Sequence, residues 1–352
     1  MMTELRMSWE KLQSFMRDVF VRVGLPADEA QIEAEVLVWA NLRGVDSHGV
    51  LRIEWYLELI DKGIMNLRPN IRVERETPAT IIIDADHALG PVVTAKAMRL
   101  VIEKARNVGI GWGLIRNTTH QGAMGYYPLM AAEEGLAGIA IVNGPPSMAP
   151  FGSAALGVHN TPIAICVPGR SRPLLLDIAM SVAAGGKLRL AKDRGSPIPL
   201  GWALDKNGKP TTDPYLASIL LPIAGPKGSG LALMFECLTG LMVGDPLLEP
   251  SLKKEPGADV HRQHGIVAAI DIGAFTDVER YRDHVDGIVA EIKKLPLAEG
   301  TEEILVAGEL EDRTRDERSR YGIPLPAGTL QKLEIAADRF GVPLPDCFSV
   351  KE

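Results

Sequence analysis

Ala79-Thr80-Ile81-Ile82-Ile83-Asp84, followed after a short break by the helix-patterned stretch 89–107 and then Gly109, decides the fold class. The first piece is a β-branched run too short for a helix, which reads as a strand. The second carries apolar residues at helical spacing and stops at a glycine, the residue that closes helices in left-handed backbone. Worked outward, the same signals predict strands at 111–115, 138–142, 162–167, 174–177 and 266–271. Helices are predicted near 123–134, 227–243 and 277–294. Alternation of this kind indicates a mixed α/β protein built on a multi-stranded sheet.

Upstream the chain is helical. Ser8 can cap a helix whose Leu12, Phe15, Met16, Val19, Phe20 and Val23 keep the helical period as far as Gly24. Pro26 suits the first turn of a second helix ending near Leu42, and a third covers 50–62 before Gly63. Segment 193–222, rich in Gly, Pro, Asp and Lys and without a period, predicts a long ordered loop. The tail from Glu309 is charged and helical, broken by Ile323-Pro324-Leu325-Pro326 before a last helix ending near Gly341. There is no internal repeat and no low-complexity tract.

Composition narrows the function. With 352 residues, 46% of them hydrophobic, the chain can bury a large core. The longest apolar stretch, 230–244, is too short for a membrane span and contains Glu236, so it reads as a core helix. Met1-Met2-Thr3-Glu4-Leu5-Arg6 lacks the basic start and apolar run of a secretory signal. Cys166, Cys237 and Cys347 are scattered and odd in number. That argues against a disulfide framework or zinc finger and for a reducing, cytoplasmic setting. A net charge of −7 without a clustered basic surface gives no reason to expect nucleic acid. The expected partner is a small molecule.

Four stretches can carry chemistry. In Arg43-Gly44-Val45-Asp46-Ser47-His48-Gly49-Val50-Leu51-Arg52, His48 can shuttle a proton near neutral pH, and Arg52 can grip a carboxylate through paired hydrogen bonds. The competing reading makes Ser47 a helix cap and Arg52 a surface charge. Asn117-Thr118-Thr119-His120-Gln121-Gly122 lies between a strand and a helix start, where ligands commonly sit, with His120 either a ligand contact or a packed residue. Leu221-Pro222-Ile223-Ala224-Gly225-Pro226-Lys227-Gly228-Ser229-Gly230 leads glycines and a lysine into a helix and is the candidate diphosphate cradle, with a plain tight turn as the alternative. Asp177, ending an apolar strand, can support a histidine, bind a ribose hydroxyl or cap a helix. Gly109-Ile110-Gly111-Trp112-Gly113 stands at a helix-to-strand junction, the reverse of a dinucleotide fingerprint, and reads as structural. His261-x-x-His264 reads as a solvated loop, and no metal site is expected.

Taken in order, these stretches, together with Pro150-Phe151-Gly152 and Gly201-Trp202-Ala203-Leu204-Asp205-Lys206-Asn207-Gly208-Lys209-Pro210-Thr211-Thr212-Asp213-Pro214, resemble the second type of malate/L-lactate dehydrogenase family. The resemblance covers nearly the whole chain. It implies a non-Rossmann NAD(P)-binding α/β fold with a helical N-terminal unit and a mixed sheet with helices. The N-terminal unit, 1–70, would carry the Ser-His-Gly motif and pack with C-terminal helices 300–352. Residues 71–299 would form the cofactor-binding domain.

It also implies a homodimer and hydride transfer at a carbon beside a carboxylate. Carried over by position, His48 resembles the family's proton donor, Ser47 its neighbour and Arg52 the carboxylate anchor. Asp177 resembles the acid that orients this histidine or meets the cofactor, and His120 the second histidine of some members. Cofactor contacts fall on Asn143 and Gly144, on Asp177, Ile178 and Ala179, on Lys227 and Gly228, and on Ala307, Gly308 and Glu309. Three departures, Met180 and Ala307 where the family commonly has Thr and Pro, and Gln121 after the second histidine, are expected to tune substrate or cofactor choice.

The activity expected is NAD(P)-dependent interconversion of a small 2-hydroxy and 2-oxo acid, of malate, lactate, ureidoglycolate or sulfolactate type. The alternatives are reduction of cyclic 2-imino acids and a non-catalytic dinucleotide sensor. NAD is favoured over NADP, although Arg170, Ser171 and Arg172 could either receive a 2′-phosphate or form a solvated hairpin tip.

Overall fold

The computed structural model describes residues 5–258 and 260–349. The chain opens with β1 (Leu5–Met7) and α1 (Trp9–Val23), whose N-terminus is capped by the Ser8 hydroxyl, accepting from the Lys11 amide at 3.5 Å. α1 turns Leu12, Phe15, Met16, Val19 and Phe20 inward, the set its period marks, and ends at Gly24 with φ 121°. α2 (Ala27–Leu42) follows. Two 3-10 turns, Asp46–His48 and Val50–Arg52, then precede α3 (Ile53–Asp61), so the third helix proper starts three residues later than the sequence suggests.

Next come β2 (Arg72–Glu76), β3 (Thr80–Asp84), α4 (Gly90–Val108), β4 (Ile110–Thr118), α5 (Tyr126–Glu133), β5 (Ala137–Asn143), β6 (Ile163–Val167) and β7 (Leu174–Ile178). After α6 (Gly185–Arg194), the short strands β8 (Ala203–Leu204), β9 (Pro210–Thr211) and β10 (Ile219–Leu220) lead to α7 (Pro226–Glu236), which runs on into a π-helical turn, Cys237–Leu241. The remaining elements are α8 (Leu248–Lys253), β11 (Gln263–Ile270), α9 (Val278–Lys293), α10 (Glu309–Tyr321), β12 (Ile323–Pro324), α11 (Ala327–Phe340) and β13 (Phe348–Ser349).

The main sheet has the order β2-β3-β4-β11-β5-β6-β7, with β3 and β4 parallel and every other pair antiparallel. This is a mixed sheet and not a doubly wound one, as expected. β11 takes the middle because Gly265-Ile266-Val267-Ala268-Ala269 is buried on both faces. α4 presses hard on β4: a Cβ on Gly111 would lie 2.0 Å from the Val101 carbonyl oxygen, and one on Gly113 2.9 Å from Val101 Cγ1. Gly111 and Gly113 therefore serve packing, while Gly109 ends α4 in left-handed backbone, φ 88°. On the helical side, Met7, Leu12, Phe20 and Tyr56 share one core with Leu333 and Val342, which joins the two ends of the chain.

Two expectations give way. Segment 193–222 is no plain loop: β8, β9 and β10 form their own three-stranded sheet, and Ile198, Ala203 and Ala217 share a small core. Two-residue strands are too short to leave a period in the sequence. The 230–244 stretch buries only one side: Ala232, Phe235 and Glu236 face in, while Leu231, Leu233, Met234, Leu238, Leu241 and Met242 are 40–52% exposed. Among the described residues no helix is long and apolar enough to cross a membrane.

Candidate active site

The turn 46–52 is braced from two helices before it meets any ligand. The buried Asn41 of α2 accepts the Val50 amide at 2.8 Å and donates to Asp46 Oδ1 at 2.6 Å. Arg318 of α10 donates to both oxygens of Asp46, at 2.6 and 3.1 Å. Gly49 is required here, because a Cβ would sit 2.2 Å from Asn41 Oδ1. Held this way, Ser47 and His48 form part of the wall of a cleft, with Ser47 Oγ hydrogen-bonded to His48 Nδ1 at 2.9 Å. Arg52, buried on the same turn, donates from Nε to the Ser47 carbonyl at 2.7 Å and lays its guanidinium 5.1 Å from the Trp55 ring.

The loop between β4 and α5 brings the second histidine alongside. Asn117 takes a left-handed conformation, φ 59°, uncommon outside glycine, and the β4–β11 register shifts beside it. Thr119 Oγ1 donates to the Ala88 carbonyl at 3.0 Å, and the Gln121 amide to Gln263 Oε1 at 3.1 Å. His120 Nδ1 accepts from the Gly122 amide at 3.3 Å and is bonded to the Tyr56 hydroxyl at 2.6 Å. A nitrogen that accepts from an amide carries no proton, so Tyr56 also donates to it, and the neutral His120 ring bears its proton on Nε2. Burial holds the Tyr56 phenol well above its ordinary pKa and so keeps it a donor. The His120 ring stacks on His48, centroids 5.4 Å apart and 19° from parallel, with Trp55 edge-on at 5.3 Å.

The cleft has a volume of about 370 Å³, within the range of small-molecule sites. Most of its wall comes from four stretches, between Trp39 and His48, 122–124, 175–179 and 305–311, with Pro162 and Ala184 completing it. Asp177 Oδ2 accepts the amide of Gly125, the residue just before α5, at 2.7 Å. The residue is open on its cleft side, yet protein surrounds the carboxyl closely. Desolvation outweighs the Gly125 bond and raises its pKa to about 6. Arg43, buried, pairs with Asp312 at 2.5 Å and donates to the Gly308 carbonyl at 3.3 Å, latching the 305–311 wall to α2.

The model of the malate/L-lactate dehydrogenase family matches residues 7–334. The chain belongs to the malate/L-lactate dehydrogenase family. It is similar to the malate dehydrogenase of Pyrococcus horikoshii, 38% identical over 349 residues and covering 96% of each chain. A solved structure of malate dehydrogenase from that organism matches at a TM-score of 0.87, 36% identity and 97% coverage of each chain. It is also similar to the L-sulfolactate dehydrogenase of Methanocaldococcus jannaschii, 37% identical over 96% of this chain and 98% of that one. The NAD(+) ureidoglycolate dehydrogenase of Escherichia coli O157:H7 is 34% identical over 91% of this chain and 93% of that one.

As a malate/L-lactate dehydrogenase family member, the protein is an oxidoreductase acting on the CH–OH group of 2-hydroxy acids. Its structure gathers Ser47, His48, Asp177, Ile178, Ala179, Ala307 and Gly308 on one cleft, with His120 stacked on His48 and Arg52 on the same turn. Others lie elsewhere. Asn143 is fully buried, donating to Glu236 and accepting from Thr161 Oγ1 at 3.0 Å, and Gly144 is buried against His159. Lys227 is exposed in the first turn of α7, and Gly228 is wedged where a Cβ would meet the Ile223 carbonyl at 2.4 Å. Glu309 faces away from the cleft and is bound by Lys293 and Arg313, which lowers its pKa to about 2.

The structure also relocates four residues expected to tune specificity or stay solvated. Gln121 is buried, bonded to Thr94 Oγ1 at 3.0 Å and the His264 carbonyl at 3.2 Å, and Met180 packs in the core. His264 is fully buried, accepting from the Asn117 amide at 3.1 Å and donating to the Asp245 carbonyl at 2.8 Å. His261 packs edge-on to Trp55 at 5.1 Å, and burial first, then Arg52, pulls its pKa down to about 4. Sequence reading missed Tyr56, Trp55 and Arg43. Tyr56 stands four residues after Arg52, one helical turn on, and that spacing was the available signal.

Proposed function

We propose that this chain oxidises a small 2-hydroxy acid to its 2-oxo acid with NAD, and catalyses the reverse. The observation that carries the reading is His48, oriented by Ser47 at 2.9 Å on the wall of a cleft, with Arg52 buried four residues away. The cleft fits the nicotinamide half of the cofactor. Ile178 and Leu305, 37% and 41% exposed, offer apolar wall, and left-handed Gly308 (φ 81°) lets the 305–311 segment approach Leu175. When bound, the nicotinamide exchanges a hydride with C2 of the substrate.

The chain supplies everything else. Arg52 holds the substrate carboxylate, which sets C2 and its oxygen beside the two rings. With Nδ1 tied to Ser47, His48 takes the hydroxyl proton during oxidation and returns it during reduction, worth ~10²–10⁴ in rate. His120, neutral and protonated on Nε2, donates a hydrogen bond that steadies the oxygen. Asp177, ionised above about pH 6, favours positive charge on this side of the cleft. The exposed apolar side of α7 supports a second copy of the chain as its cover, since isolated monomers rarely leave such a patch in water. Buried Cys166 and the absence of disulfides among the described residues suit a cytoplasmic setting.

The test is the absorbance of reduced nicotinamide with malate, lactate, sulfolactate and ureidoglycolate, and with a cyclic 2-imino acid in the reducing direction. Turnover of a hydroxy acid is expected. Turnover of the imino acid alone replaces the reading with imine reduction, and NADH binding without any turnover makes the chain a sensor.

A further inference from the structure

Behind the cleft lies a second cavity of about 510 Å³, and Val306 and Ala307 line both. Its inner side is apolar, formed by Pro173 and Leu174 of the β6–β7 hairpin and by Val285, Val289 and Ala290 of α9. Its rim is charged, yet every cation on it is already held. Arg172 pairs with Asp316 at 2.6 Å, Lys293 with Glu309 at 2.5 Å, and Arg313 with Glu303 and Glu309 at 2.6 Å each. Asp286 accepts the amides of Arg170 and Ser171, both at 3.0 Å, and Arg170 itself is bound by Asp283 and Glu279. Three cations on the rim face four carboxylates: Asp286, Glu309, Asp312 and Asp316.

We propose that this cavity receives the adenosine half of the cofactor and that Asp316, by holding Arg172, makes it select a ribose 2′-hydroxyl over a 2′-phosphate. This rests on the reading of the cleft given above. An apolar slot suits a flat purine. A 2′-phosphate brings close to two negative charges and needs a guanidinium or ammonium not already paired. Here the hairpin Arg170-Ser171-Arg172, which the sequence offered as a phosphate receptor, is bound instead by acids of α9 and α10. A phosphate would have to break those pairs beside an excess of carboxylate. A ribose hydroxyl can donate to the same carboxylates.

The experiment is titration of NADH and NADPH fluorescence without substrate, on the whole chain. Wild type is expected to bind NADH at least tenfold more tightly than NADPH. Asp316→Ala, on a half-exposed surface position, is expected to close that gap about tenfold by releasing Arg172 from its 2.6 Å pair and leaving it only the longer 4.0 Å contact to Asp312, and Asp316→Ala with Arg172→Ala to restore it. Ala290→Trp, filling the slot, is expected to weaken both cofactors. Equal wild-type affinities, an Asp316→Ala ratio that does not move, or an Ala290→Trp chain that binds normally each overturns the assignment. Because binding alone is read, a chain that binds NADH selectively but turns over no hydroxy acid defeats the proposed reaction and leaves this inference standing.

Discussion

The histidine end of the cleft and the outer cavity behind it are built from opposite kinds of polar contact. At the inner end Ser47, His48, Tyr56, His120 and Arg52 are linked by neutral or backbone hydrogen bonds and stacked rings, most of them shielded from water. Around the outer cavity Arg172, Lys293 and Arg313 meet carboxylates on side chains open to solvent. Buried hydrogen bonds fix geometry because leaving one unmade costs about 1–3 kcal/mol. Exposed ion pairs contribute about 0–1 kcal/mol each and weaken with salt. The difference separates a rigid, hydrogen-bonded end, where the proposed proton transfer would take place, from a rim of ion pairs that can rearrange at little cost.

The sharpest way to break this division is His48→Ala. It should lower kcat by about 10³ while NADH binding changes less than threefold, measured by stopped assays and fluorescence titration. Normal turnover would move the proton role to His120. Arg52→Lys, which keeps the charge but loses the fork, should raise KM for the acid by about 10–100-fold with a smaller change in kcat. If kcat and not KM carries the loss, Arg52 is orienting His48 through Ser47 and not gripping substrate.

Asp177 sharpens the comparison through pH. Its raised pKa means that the carboxyl gains a proton as pH falls through about 6, so kcat/KM should decline there, and Asp177→Asn should flatten that acid limb. A limb that survives the substitution belongs to another group. Glu33, fully buried on α2 with no hydrogen-bond partner for either oxygen, has its pKa raised from 4.5 to about 8 by burial. The stability tied to its proton is complete below pH 4.5 and lost as pH rises towards 8. Glu33→Met should therefore gain several degrees in Tm over wild type at pH 8 and markedly less at pH 5. The smallest effect belongs to the outer rim, where Lys293→Ala should cost less than about 1 kcal/mol in denaturant unfolding. A larger loss would mean that the ion pairs there are structural.

Much of this was readable in the chain. The period of Leu12, Phe15, Met16, Val19 and Phe20, the closing Gly109 and the β-branched strands predicted elements that exist, because each depends on local pattern. β2 was not readable: Arg72-Val73-Glu74-Arg75-Glu76 is an exposed edge strand with no apolar alternation to betray it. Residues on the Ser47–His48 turn and around Asp177 could be nominated because their chemistry is unusual where it stands. Which side a polar residue faces could not. Asn143 and His264 look like site residues or solvated ones in sequence, and both turn inward because Glu236 and Asp245 await them there. Tyr56 was hidden for the opposite reason: buried tyrosines usually announce packing, and only its bond to His120 marks it otherwise.

The cleft wall at 305–311, latched to Arg43 through Asp312, has a consequence for how the protein comes into being. The segment that closes the cleft is synthesised some 260 residues after the turn that carries His48, and Arg318, which braces Asp46, later still. A growing chain thus carries His48 through that interval without the wall that completes the cleft. The cleft is completed by the same stretch that ties α10 to α2.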